Sequence, residues 1–347
     1  KLVGWKQSVS DRMAKGVEQL LKGNKVEIIS GVAKFKTTSQ LEVKSSKENQ
    51  LIEADKFIVA TGSRPIAIPG FAIDEDEVCS STGALAMETL PKKVVVIGGG
   101  YIGLEISSYL AKLGSEVEIL EAGKTLLAGV ADKDCVQVVA RKLKKLGVKI
   151  HFNTIVTNYE NHLVSTNTNL ELKAATFVWS AGVTGAPING INGAALVERA
   201  NRYKVNEFNQ VLGFENVFAI GDIALMQTKK YERGLPMVAQ PAIQQGCHLG
   251  KNLRALHNKK PLKAFKYFDK GSMATIGRNK AVVDLGKLRF GGFFAWFIWM
   301  FIHLVFLVGF RNKVVTLFNW VYSYINFDKA SRLIITPFKA KEDTDVV

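Results

Sequence analysis

Cysteine is scarce in this chain and scattered where it occurs. Cys79, Cys135 and Cys247 are the three, and no two stand in a C-x-x-C or other close pair. The spacing suggests neither a metal cluster nor a local redox dithiol, and no metal site is expected. Buried or idle thiols in a reducing compartment account for them. Acid is also short: 31 Asp and Glu face 46 Lys and Arg, for a formal charge of +15. Such a balance draws a protein toward nucleic acid or an anionic membrane. The basic residues are not gathered in blocks and no stretch resembles a nucleic-acid module, so nucleic acid is not an expected partner. One strongly apolar, aromatic run near the C-terminus turns the charge argument toward a membrane surface.

What is present begins with residues 94–121, VVVIGGGYIGLEISSYLAKLGSEVEILE. A buried-strand run at 94–97 leads into glycines, then into a helix whose Ile102, Ile106, Leu110 and Leu113 recur at helical spacing. Gly114 reads as the helix stop, and a second strand at 117–120 ends in Glu121. Gly98, Gly100 and Gly103 fit G-x-G-x-x-G: the first permits the tight turn, the second lets backbone approach a pyrophosphate, and the third lets helix pack on strand. Phosphates would sit on the N–H groups that open the helix. Glu121 stands where a carboxylate accepts hydrogen bonds from an adenosine ribose and repels a 2′-phosphate, so NADH is expected over NADPH. Strand, glycines, helix, strand and acid in that order set this apart from a glycine-rich turn in some other parallel sheet. Alternating strands and helices over 347 residues predict an α/β fold with a mostly parallel sheet and two or three domains.

Upstream, residues 1–21 read as an amphipathic helix ending at Gly23, followed by short antiparallel strands at 26–30, 33–35 and 40–43. A buried strand at 57–60 runs into Thr61-Gly62-Ser63-Arg64-Pro65. The string IVATGSRP resembles the linker motif of two-dinucleotide-fold flavoproteins, in which a strand ends at Ala-Thr-Gly beside FAD. Thr61 and Gly62 are cofactor candidates on that resemblance, with a hydroxyl and a close backbone approach to offer. From residue 1 to about 147 the chain resembles dihydrolipoamide dehydrogenase, through GVEQLLKGNKVEIISG, FIVATGSRPIAIPGF, SSTGALAMETLPKKVVVIGGGYIGLE and RKLKKLG. That family's first FAD-binding G-x-G-x-x-G, its C-x-x-x-x-C pair and its H-P-x-x-x-E context do not occur. Without a dithiol near the flavin no thiolate can attack a disulfide, which excludes disulfide reductase chemistry for the sequence as it stands.

From about residue 148 the resemblance passes to type II NADH dehydrogenase, through FVWSAGV at 177–183, NVFAIGDIA at 216–224, MVAQPAIQQG at 237–246, GSMATIGRNKAVVD at 271–284 and AWFIWMFIHLVFLVGFRNK at 295–313. The change falls near 147–154, inside a domain whose fold both families share, and the whole reads as a hybrid or N-terminally truncated chain. The resemblance implies a two-dinucleotide-binding-domain flavoprotein with FAD and NADH as cofactors, passing electrons to a membrane quinone without pumping protons. Expected domains are a partial FAD-binding domain at 1–88, an NAD(H)-binding domain at 89–190, a return segment of the FAD domain at 191–265 and a membrane-anchoring region at 266–347. Gly221-Asp222 closes a strand at 217–220, and the resemblance places the Asp222 carboxylate on the ribityl chain of FAD. Gln240 and Gln244 stand one helical turn apart, so their amides point the same way. In isolation they read as a solvated surface pair; the resemblance makes them line a quinone pocket, with Ala239 near the flavin ring. The same resemblance puts Glu105 near nicotinamide and flavin as the acid/base residue, against a bland reading as a helix-dipole partner in the first turn. It puts Gly182 on the nicotinamide side, where a side chain would block the cofactor.

The uncharged run 290–310 would be roughly 31 Å long as a helix, near the thickness of a bilayer core. Gly291 and Gly292 shorten it, His303 suits mid-bilayer poorly, and Arg311-Asn312-Lys313 break it before a second amphipathic segment carrying Val314, Leu317, Phe318, Val321, Tyr322 and Ile325. Trp296, Trp299, Trp320, Tyr322 and Tyr324 suit the interfacial zone. Two helices lying in one leaflet, held on anionic lipid at the cytoplasmic face of the cell membrane, are preferred to a span; a hydrophobic homodimer interface is the third reading. The rivals to quinone reduction are a dihydrolipoamide dehydrogenase-like disulfide oxidoreductase, and a truncated product that binds NADH without flavin activity.

Overall fold

The computed structural model describes residues 2–46, 48–66, 71–128, 133–191, 196–197, 200–275, 281–285, 288–306, 314–318 and 320–321. Helix α1 (Leu2–Gly23) forms as the apolar spacing predicts, with Glu18 and Lys22 paired one turn apart at 2.6 Å. Its apolar residues Trp5, Met13, Val17 and Leu20 are exposed. The expected strand at 26–30 does not form: those residues are exposed and irregular. Their place is taken by a three-stranded antiparallel sheet of β1 (Val32–Phe35), β2 (Gln40–Lys44) and β3 (Asn49–Glu53), the last not foreseen. A strand persists only where its N–H and C=O groups find an edge, and β2 offers its two edges to β1 and β3.

Strand β4 (Phe57–Val59) runs through the Ala-Thr-Gly string into β5 (Ser63–Pro65). Then come β6 (Val78–Cys79), the single turn α2 (Ser81–Ala84), β7 (Lys93–Ile97), α3 (Tyr101–Leu113), β8 (Glu116–Leu120), α4 (Lys133–Lys145) and β9 (Lys149–His151). Three antiparallel strands follow, β10 (Val156–Glu160), β11 (Leu163–Thr166) and β12 (Glu171–Lys173), before β13 (Thr176–Trp179) returns to the main sheet. That sheet is wholly parallel, in the order β6-β13-β7-β8-β9. It takes in residues 78–79, before the expected domain start at 89.

Parallel sheets are covered on both faces, and this one shows why its strands read as unbroken apolar runs. Val94 and Val96 face α3 with Ile119, Leu104 and Leu110. Val95 and Ile97 face the other way, toward Phe177, Trp179 and the β10–β12 layer with Val156, Val164 and Leu172. The helical stripe needs one correction: Ile106 and Leu110 are buried but Ile102 is 42% exposed, and Leu104 takes the core position instead. Gly114 ends α3 at φ 109°, as its place in the sequence predicts. The join at 147–154 packs: Leu143 and Val148 are in the α3-side core, and β9 pairs with β8.

The second core is assembled from distant segments. After β14 (Val183–Gly185), β15 (Leu196–Val197) and β16 (Arg202–Lys204), strand β17 (Val217–Ala219) pairs parallel with β4. A 3-10 turn (Gly221–Ile223), β18 (Ala224–Leu225) and α5 (Ala239–His257) follow. Phe35, Val59, Tyr203, Val217, Ala219, Ile223 and Phe265 bury together there.

At the C-terminal end β19 (Ser272–Thr275), β20 (Ala281–Asp284) and β21 (Arg289–Gly292) form an antiparallel sheet. Helix α6 (Phe293–Phe306) starts only after the two glycines and packs Ala295 onto Val283. Its 14 residues make about 21 Å, short of the roughly 30 Å a bilayer core requires. Among the described residues no helix is long and apolar enough to cross a membrane. Phe293, Phe294, Phe297 and Phe301 on α6, and Val315 and Phe318 on the helical stretch 314–318, are exposed. Tyr322, Tyr324 and Ile325 lie outside the described residues.

Candidate functional site

The glycine turn between β7 and α3 is built as its spacing demands. Gly98 has φ +102°, and a Cβ there would stand 2.8 Å from the Ser180 carbonyl oxygen. A Cβ on Gly103 would collide with the Gly98 carbonyl oxygen and the Ser180 hydroxyl, so helix and strand approach through backbone alone. Gly100 is the N-cap of α3, has no side-chain cap, and faces open space. The opening of α3 therefore turns the positive end of the helix toward an anion such as a pyrophosphate. Glu121 lies at the end of β8 beside this turn. Its Oε2 accepts from the Gly99 N–H at 2.6 Å and its Oε1 from the Gly123 N–H at 2.6 Å. A carboxylate has about four lone-pair sites, so lone pairs remain for ribose hydroxyls.

Ser180, which the sequence reading quoted only within Ser-Ala-Gly-Val, is the turn's hidden support. Its hydroxyl donates to the Ile97 carbonyl at 2.6 Å. From there the chain passes Gly182, where a Cβ would stand 3.1 Å from the Ile66 side chain. It then enters β14, which pairs antiparallel with β5. This ribbon carries the nucleotide turn directly to the end of β4. Thr61 donates its hydroxyl to the Ala186 carbonyl at 2.6 Å, and Gly62, at φ +70°, borders open space. Ser63 donates to Asp222 Oδ2 at 2.7 Å, linking the start of β5 to the turn after β17. The Gly221 N–H donates to Gln245 Oε1 at 2.8 Å. Gln245 is 1% exposed and was missed beside the more conspicuous Gln244; the doubled glutamine before Gly246 was its only signal. Arg202, also missed, is buried behind this turn, donating to the Ala224 and Leu235 carbonyls at 2.6 and 3.1 Å. Burial lowers its pKa, and the Asp222 charge opposes that.

Four strand ends therefore converge: β7 with its glycine turn, β13 with Ser180–Gly182, β4 with Thr61–Ser63, and β17 with Gly221-Asp222. Nucleotide ligands in open α/β folds lie beyond such carboxyl ends. A dinucleotide fits at 98–103, and the open space at Gly62 beside Asp222 suits the flavin end of FAD.

Glu105 is exposed on α3. It is the fifth helical residue, so it begins the second turn rather than lying in the first. Ala239 opens α5 and is exposed. Gln240 and Gln244 do point the same way, but onto backbone. Gln240 Nε2 donates to the Gly271 carbonyl at 2.8 Å, and its Oε1 accepts from the Lys270 N–H at 3.1 Å. Gln244 does the same at Phe268, at 2.9 and 3.0 Å.

Cys79 is buried, and desolvation, aided by Glu75, Asp74 and Asp76, pushes its thiol up to about 11. Cys247 is free and exposed. Among the described residues no group of side chains could hold a metal ion.

Comparison with known proteins gives these features a family. The pattern of the pyridine nucleotide-disulphide oxidoreductases matches residues 3–246, and that of the NDH2 C-terminal domain matches 270–326. The chain is 32% identical over 270 residues to the type II NADH:quinone oxidoreductase Ndh of Mycobacterium tuberculosis, covering 71% of this chain and 57% of that protein. It is 42% identical over 174 residues to the dihydrolipoyl dehydrogenase of Bacillus subtilis, covering 50% of this chain and 37% of that protein. Among solved structures, NDH2 from Plasmodium falciparum in complex with NADH superposes with a TM-score of 0.70 at 15% identity, over 84% of this chain and 82% of that one. The Cu(II) complex of the flavoprotein disulfide reductase RclA from Escherichia coli gives 0.67 at 23%, over 82% of this chain and 63% of that one. At such identities the structural likeness shows the fold. The chain spans about half the length of the curated relatives it matches. With its glycine turn, its converging strand ends and a family match over residues 3–246, the chain belongs to the pyridine nucleotide-disulphide oxidoreductase family.

Proposed function

We propose that this chain carries the NADH-binding domain, the flavin-side shell and the quinone-side helix of an FAD-dependent, non-proton-pumping NADH:quinone oxidoreductase. The observation that carries the reading is the convergence just described. The ribbon β5–β14 ties the dinucleotide turn at Gly98–Gly103 to the Gly62 and Gly221-Asp222 ends, as a nicotinamide set against a flavin requires. The domain division at 88/89, 190/191 and 265/266 belongs to the same reading.

When bound, FAD supplies a two-electron relay between NADH and quinone. The first N–H groups of α3 hold the NADH pyrophosphate, and Glu121 holds the adenosine ribose through its remaining lone pairs. Gly182 keeps the nicotinamide side clear. Asp222, oriented by Ser63, accepts from the ribityl hydroxyls, and Thr61 and Gly62 let backbone approach the flavin. Each glutamine amide nitrogen has two N–H donors. One of them on Gln240 and on Gln244 is spent on the chain at 268–271, and the second is free for a quinone carbonyl. Ala239 would border the ring, and Glu105, exposed on α3, would carry protons to the reduced quinone as the acid/base residue.

The exposed aromatics of α6 and of 314–318, with a formal charge of +15, support docking on an anionic lipid surface at the cytoplasmic face of the cell membrane. A substrate dissolved in the bilayer gives such docking its purpose; a homodimer across that patch is the competing use. The disulfide reading needs a close cysteine pair, and Cys79, Cys135 and Cys247 form none in the sequence. The test is NADH oxidation by the chain with added FAD and anionic vesicles. Menadione should be reduced and lipoamide should not. Reduction of lipoamide alone would sink the reading.

A further inference from the structure

The two glutamines assigned to quinone are part of a longer series along one face of α5. Gln240, Gln244, His248 and Asn252 are each four residues apart. Asn252, 4% exposed, repeats at Lys263 what Gln244 does at Phe268. Its Nδ2 donates to the Lys263 carbonyl at 2.9 Å, and its Oδ1 accepts from the Lys263 N–H at 3.1 Å. His248 fills the rung between them, its ring edge-on to Phe265 at 5.3 Å. Three side-chain amides thus bond peptide groups of the segment 263–271 in the two-point manner of one strand with another. The segment runs antiparallel to the helix, since 252 meets 263 and 240 meets 271. Twelve helical residues rise about 18 Å, and eight extended steps reach about 26 Å, so the strap has length enough to follow the inclined row.

The strap leads straight into β19, and through the C-terminal sheet to α6. The same helix borders the Gly-Asp turn at its start, where Gln245 holds the Gly221 N–H and the Ala242 Cβ would stand 3.3 Å from a Cβ on Gly221. One face of α5 therefore addresses the candidate flavin turn while another carries the strap.

We propose that Asn252 is a positioning residue: with Gln240 and Gln244 it forms a three-amide clasp that fixes the strap, and so the C-terminal sheet and α6, on α5. By spending one N–H of each glutamine on the strap, the clasp also fixes where the second N–H points. This last consequence rests on the quinone reading above; the clasp itself does not.

The experiment is amide hydrogen exchange on the full chain, which needs neither flavin nor activity, in wild type, Asn252→Ala, Asn252→Asp and Gln244→Ala. In Asn252→Ala, exchange should rise about tenfold at Lys263 and, because the rungs act together, also at Phe268 and Lys270, with α5 amides unchanged. Asn252→Asp keeps an acceptor and should restore protection at Lys263. Gln244→Ala, at a less buried site, should loosen the same three amides. Wild-type rates at Phe268 and Lys270 in Asn252→Ala would show that the rungs are independent and overturn the clasp. In the NADH:menadione assay Asn252→Ala should raise KM for menadione about fivefold and leave KM for NADH unchanged; equal rises in both would overturn the positioning role. Absence of menadione reduction in wild type would remove the quinone reading and leave the exchange result to decide the clasp.

Discussion

The two dinucleotide-side regions are built in opposite ways. The nucleotide sheet is five parallel strands with a core on each face, and its motif is one unbroken stretch from Lys93 to Glu121. The candidate flavin side rests on two parallel-paired strands, β4 and β17, that lie 160 residues apart in sequence; Ser63 links the segment after β4 to Asp222, and Gln245 ties the turn after β17 to α5. The first region owes its geometry to local sequence, the second to chain return. Substitutions should separate them accordingly.

The largest effect is expected in the glycine turn. Gly103→Val drives a side chain into the Gly98 carbonyl and the Ser180 hydroxyl. It should cost about 3 kcal/mol in a urea titration and abolish NADH binding measured by fluorescence. Retained NADH binding would mean that the local motif does not build the site.

Next comes Glu118, 2% exposed on β8 and bonded to Lys93 at 2.9 Å and His151 at 2.8 Å. Burial alone would raise its carboxyl, but the Lys93 and His151 bonds and the Lys93 and Lys149 charges hold it below the ordinary range. Its stabilisation is therefore full above the ordinary carboxylate range and lost as pH falls through the lower folded value. Glu118→Gln should cost about 2 kcal/mol at neutral pH and flatten the acid limb of the stability profile. An unchanged acid limb would assign the acid sensitivity elsewhere.

Ser63→Ala removes the hydrogen bond from β5 to Asp222 and should cost about 1 kcal/mol. It should weaken FAD binding, followed by flavin fluorescence, while leaving NADH affinity unchanged. A matching loss of NADH affinity would erase the distinction between the two regions. The smallest effect is Ile102→Ser, within about 0.5 kcal/mol because the side chain is 42% exposed.

What the sequence reveals follows the same division. The unbroken apolar run at 94–97 and the glycine spacing are local rules, and both are met in the structure: all four strand residues are buried, alternately toward the two cores. Ile102 kept the helical period but faced solvent, since periodicity names a stripe without fixing its edges. The apolar 26–30 met no pairing edge, whereas the polar 49–53 did. Glu105 was displaced by one residue's worth of helix start. Ser180, Arg202 and Gln245 escaped notice because each acts on a group 20 or more residues distant, where spacing carries no information. Gln240 and Gln244 were seen as a pair, but the backbone they grip is an extended stretch with no motif of its own.

Strand β4 has β17 on one side and no strand on the other among the described residues, and Ile58 at its middle is 49% exposed. An open edge of this kind is a template for any extended polypeptide that reaches it.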